Sequence, residues 1–100
     1  MLAEQKNIAN IIEAIVQLVI KFGQINEIIL YGSRAKGTYM ERSDIDIALV
    51  GENINIIELM DEIDQIDTLL KIDLVDIKNC KNERLKSEVK ENGITLYRKV

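Results

Sequence analysis

The chain has 100 residues, 47% of them hydrophobic and 30% charged, and a formal net charge of -4. That is enough apolar material for one packed domain, and the acidic balance excludes broad, sequence-independent nucleic-acid binding, which needs a basic surface. One cysteine, Cys80, and no histidine rule out an intrachain disulfide, a Cys/His zinc site and histidine-dependent catalysis, so any chemistry rests on carboxylates, amines, hydroxyls or a bound metal.

In chain order, Ile8, Ile11, Ile12, Ile15, Leu18, Val19 and Phe22 recur at spacings of three and four, which predicts an amphipathic helix over residues 4–22 with Gly23 as a left-handed cap. Asn10, Glu13, Gln17 and Lys21 interrupt the run, so it does not read as a membrane span. The opening "MLAEQKNIAN" lacks the basic start and cleavage site of a signal peptide, and a soluble cytoplasmic protein is expected. "EIILYG" predicts a buried strand over 27–32, and "SRAKG" one or two helical turns before Gly37. "DIDIALV" predicts a second strand over 44–50, stopped by Gly51. Ile56, Ile57, Met60, Ile63 and Leu70 predict a helix over 54–69 with acidic residues opposite, and "KIDLVDI" a strand over 71–77. "NERLKSEVKENG" predicts a last helix with Leu85 and Val89 inward, and "ITLYRK" a closing strand. The pattern is an α/β (α+β) domain over residues 1–100, with a mixed sheet of about four strands and helices packed on it.

The stretch "YGSRAKGTYMERSDIDIALV" carries the chemistry. Strand side chains alternate, so Asp44 and Asp46 share one face while Ile45, Ile47 and Leu49 share the other. Two carboxylates side by side repel unless a cation lies between them, and hard divalent cations such as magnesium take oxygen ligands. The alternative is an amphipathic strand whose aspartates face water. Upstream, Gly32 permits a close backbone approach to a phosphate, and Ser33 either caps a short helix or donates its hydroxyl to a phosphate oxygen. Arg34 and Lys36 add positive charge; an ordinary strand–helix turn with a solvated basic flank is the bland reading.

The combination is more specific: Gly32-Ser33, ten intervening residues, then Asp44-Ile45-Asp46. It resembles the signature of the DNA polymerase β superfamily of nucleotidyltransferases. "GSRAKG…SDIDIALV", continued by "KIDLVDI" and "GITLYRKV", is similar to the MNT-type minimal nucleotidyltransferases, which include the antitoxin partners of HEPN proteins. The resemblance implies the nucleotidyltransferase fold and a three-carboxylate site holding two magnesium ions. Asp44 and Asp46 match the first two ligands. The third comes from a later strand, where Asp73 and Asp76 point to opposite faces; the family pattern favours Asp73, leaving Asp76 to a turn or cap. Gly32 and Ser33 match the residues that hold the nucleotide phosphates, and Arg34 is expected to support the triphosphate.

The implied reaction transfers a nucleoside monophosphate, AMP from ATP, to an acceptor hydroxyl with release of pyrophosphate. The implied partner is a HEPN toxin that presents the acceptor, since the chain is used up by the catalytic core; a homo- or hetero-oligomer is compatible. The competing reading is a non-catalytic antitoxin that neutralises its partner by complex formation.

Overall fold

The computed structural model describes residues 8–22 and 24–100. The start of the predicted first helix and the Gly23 cap lie outside the described residues. The elements are α1 (Ile8–Ile20), β1 (Ile25–Tyr31), α2 (Ser33–Lys36), β2 (Ile45–Gly51), α3 (Ile56–Ile63), β3 (Ile72–Asp76), a 3-10 turn (Ile77–Asn79), α4 (Glu83–Asn92) and β4 (Ile94–Arg98). The strand order is β3-β2-β1-β4. β1 is antiparallel to β2 and β4, and β2 is parallel to β3, so the sheet is mixed as the pattern of elements implies. Among the described residues, no helix is long and apolar enough to cross a membrane.

The core follows the alternation of the two central strands. Ile28, Ile45, Ile47 and Leu49 are fully buried on one face of the sheet. Ile11, Ile15, Val16 and Val19 of α1, with Leu59 and Ile63 of α3, close over them as one cluster. Ala48, of opposite parity, is also fully buried but lies outside that cluster, as does Val89 of α4. A smaller apolar contact therefore covers part of the second face, while the rest carries polar groups.

Two helical predictions are corrected. Val16 lies on the buried line of α1, whereas Ile8, Ile12, Leu18 and Phe22 only flank it. In α3 the inward residue is Leu59, and Ile57 is 82% exposed; the 59-to-63 spacing of one turn selects that face. α3 also ends at Ile63 rather than continuing to residue 69. Asp61, Glu62, Asp64 and Asp67 would set negative charge against the negative end of a longer helix. The chain turns instead, with Leu70 N–H donating to Thr68 Oγ1 at 3.1 Å. Asn55 and Asn82 cap the starts of α3 and α4, each side chain accepting from a backbone N–H at 3.1 Å.

One close backbone contact closes the β1–β2 ladder where the chain enters β1. Gln24 has φ 61, and its carbonyl accepts from Glu52 N–H at 2.9 Å. A side chain at Gly51 would overlap that carbonyl, so β2 ends on glycine because the two chains pass in backbone contact.

Candidate active site

Register assembles the site. Tyr31 of β1 pairs with Asp46 of β2, and Asp46 pairs with Asp73 of β3. The three side chains form a row across the sheet, on the face opposite Ile45, Ile47 and Leu49. Asp44 lies one residue before β2 and shares the parity of Asp46. Each of Asp44, Asp46 and Asp73 offers a carboxylate oxygen, and these oxygens lie within 4.8 Å of one another. Asp76 points away: its Oδ2 accepts from Asn79 Nδ2 at 2.8 Å and tightens the 3-10 turn.

The electrostatics match three like charges gathered on a half-buried surface. Burial raises the Asp46 carboxyl above its ordinary 3.8, and the neighbouring Asp73 and Asp44 carboxylates add to the rise; Lys71 opposes it. Lys71 Nζ lies 3.8 Å from Asp73 Oδ1 and is 70% exposed, so it screens the cluster weakly. The Tyr31 phenol is pushed up to about 12, first by burial and then by Asp46, Asp73, Cys80 and Glu88. It therefore stays a neutral hydroxyl beside the carboxylates. An all-oxygen donor set with uncompensated negative charge fits a hard divalent cation such as magnesium, not a soft thiolate-seeking metal.

The glycine turn adjoins this cluster. Gly32 follows β1 with φ 78 and ψ -159, a region open in practice only to glycine. A Cβ there would overlap Asp46 Oδ2. Gly32 thus brings its backbone directly against the carboxylate group, joining the two sequence halves. Gly32 is itself the N-cap of α2, without a side-chain cap bond, so Ser33 opens the helix rather than capping it. Ser33 is half-buried at the first helical position, where backbone N–H groups have no partner within the helix.

The basic flank is placed differently from a free cationic patch. Arg34 turns towards the following loop: Nε and Nη2 donate to Ser43 O at 3.1 and 3.0 Å, and Nη2 also to Glu41 O at 3.1 Å. Its guanidinium lies over the Tyr39 ring, 5.0 Å from the centroid. Lys36 is not simply solvated; its Nζ lies 3.3 Å from Glu88 Oε2 and ties α2 to α4. Arg42 is exposed. Reasoning from sequence passed over Lys71 and Tyr31 as neighbours of the carboxylates. Tyr31 depends on the register of β1 against β2, and Lys71 on where β3 docks.

The description "Polymerase beta, Nucleotidyltransferase" matches residues 13–100. A 30-residue stretch is 60% identical to a candidate protein adenylyltransferase of Methanocaldococcus jannaschii, a match covering 30% of this chain and 30% of that protein. The fold is similar to a crystal structure of a toxin-antitoxin with AMP-PNP, at 29% identity and TM-score 0.67, covering 90% of this chain and 73% of that one. It is likewise similar to the structure of a tri-AMPylated Shewanella oneidensis HEPN toxin in complex with MNT antitoxin, at 25% identity and TM-score 0.68, covering 91% of this chain and 72% of that one.

Proposed function

Because the chain belongs to the polymerase beta nucleotidyltransferase family, matched over residues 13–100, we propose that it transfers AMP from ATP to a hydroxyl of a HEPN-type toxin and so acts as the antitoxin. The observation that carries this reading is the convergence of Asp44, Asp46 and Asp73, with oxygens within 4.8 Å, against the Gly32 turn. The AMP-PNP complex and the AMPylated HEPN toxin among the similar structures support the nucleotide and the acceptor.

Asp44, Asp46 and Asp73 would hold two magnesium ions, which when bound would lower the pKa of the acceptor hydroxyl and offset the charge on the departing pyrophosphate. Asp46 sits at the centre of the row with its carboxylate against the Gly32 backbone, so it aligns the cluster with the phosphates. Gly32 admits the triphosphate close to the backbone, and the free N–H groups at the start of α2, with the Ser33 hydroxyl, donate to its oxygens. The acceptor oxygen forms a bond to the α-phosphorus, the bond from that phosphorus to the bridging oxygen breaks, and pyrophosphate departs with the electron pair. The hydroxyl proton passes to solvent; no histidine is needed.

The test is incubation with labelled ATP, magnesium and the HEPN partner. Label on the partner, lost with Asp44→Ala, supports the reading; equal labelling by wild type and Asp44→Ala overturns it. A second reading, neutralisation by occlusion, draws on Met40, Ile57 and Leu69, each more than three-quarters exposed. Full neutralisation by the Asp44→Asn, Asp46→Asn double variant would favour it.

A further inference from the structure

Asp44 is the least anchored member of the carboxylate cluster. It is exposed and lies just outside β2, so the sheet ladder does not hold it. On its C-terminal side, Ile45 N–H donates to Lys71 O at 2.9 Å, which ties the start of β2 to the entry of β3. On its N-terminal side comes a loop, residues 37–43, in which Gly37 through Arg42 are all exposed. Such a segment has no apolar anchor and would move freely unless its polar groups were tied.

Arg34 supplies the tie. Two of its nitrogens converge on the Ser43 carbonyl, the oxygen of the peptide unit that leads into Asp44, at 3.1 and 3.0 Å. The same guanidinium reaches Glu41 O at 3.1 Å and stacks over Tyr39. Inside this clasp the loop closes on itself, Ser43 N–H donating to Met40 O at 3.0 Å and Met40 N–H to Ser43 Oγ at 2.8 Å. At its other end, Gly37 takes φ 82 and Thr38 N–H donates to Ser33 O at 3.0 Å. A planar fork can grip one carbonyl with two nitrogens while its face rests on a ring; an ammonium cannot.

We propose that Arg34 is a positioning residue that holds Asp44 in the carboxylate cluster by gripping the Ser43 carbonyl, and is not a ligand of the triphosphate. The inference rests on the reading of Asp44 as a cation ligand. One side chain then couples the helix that begins at Ser33 to the strand that carries Asp46. Arg34→Lys keeps the charge and loses the fork, which separates the two roles.

The experiment compares wild type, Arg34→Lys and Tyr39→Ala, at first without nucleotide. Hydrogen exchange at the amides of residues 40–45 and Mn2+ affinity by water-proton relaxation are read first. Binding of ATP and of AMP without metal is read second. Arg34→Lys is expected to speed exchange of these amides by about tenfold or more and to weaken Mn2+ binding by a similar factor, the scale of one lost charge-assisted bond. The preference for ATP over AMP stays as in wild type, and Tyr39→Ala moves exchange in the same direction by less. Wild-type exchange in Arg34→Lys overturns the proposal. So does a loss of ATP preference with Mn2+ affinity unchanged. If wild type binds no Mn2+, the cation-site reading fails on that result, while the exchange rates still decide whether Arg34 fastens the loop.

Discussion

Replacing Asp46 by asparagine should stabilise the metal-free protein while abolishing transfer. Like unit charges at 4.8 Å, the outer limit of the cluster, repel by about 1 kcal/mol in water and about 3.5 kcal/mol at an effective dielectric of 20. Asp44 is exposed and the Asp73 side chain is 38% exposed, so the aqueous end of that range applies. Asp46→Asn removes the repulsions with Asp44 and Asp73, and loses part of the attraction of Lys71. The net gain is about 1 kcal/mol, which raises the Tm of a domain this size by about 4–8 °C. The assay is thermal unfolding in chelator at pH 7 and low salt, repeated with magnesium. Magnesium should raise wild type more than the variant and close the gap, and added salt should narrow it. The pH dependence has a definite sign. An acid whose folded pKa is raised binds its proton more tightly in the folded chain. Its charge therefore begins to destabilise as pH rises past 3.8, and does so fully above the folded value. The advantage of the variant should be fully present above the raised folded value and vanish below the ordinary aspartate range. If Asp46→Asn melts below wild type in chelator, the cluster is not a site of uncompensated repulsion and the argument for a cation there loses its electrostatic basis.

Three further outcomes follow from the geometry. Gly32→Ala should cost about 1–3 kcal/mol in urea unfolding from backbone strain, and, by pushing the Asp46 carboxylate aside, lower labelled-AMP transfer by about 100-fold, the scale of a displacement near 1 Å. Asp73→Asn should reduce transfer by more than about 100-fold, since even outer partners of metal ligands cost 10–100-fold, whereas Asp76→Asn, whose side chain serves the 3-10 turn, should leave the rate unchanged. Ile15→Ala, at a fully buried core position, should cost about 2–5 kcal/mol in the same unfolding assay.

The sequence by itself determined the elements and the faces of the central strand. Alternation in "DIDIALV" already separates Ile45, Ile47 and Leu49 from Asp44 and Asp46, because strand periodicity is a local property. Helix periodicity located α1 and α4 for the same reason. Local reasoning erred on α3 because two faces of "IIELMDEI" are apolar, and only docking against α1 selects Leu59 over Ile57. The tertiary structure decided what depends on pairing between distant segments. Asp73, not Asp76, joins the cluster because β3 lies parallel to β2 with Asp46 opposite Asp73. Antiparallel pairing put Tyr31 in the same row, and the path of the loop turned Arg34 towards the Ser43 carbonyl. Spacing along the chain names the carboxylates that share a face; register between strands decides which of them meet.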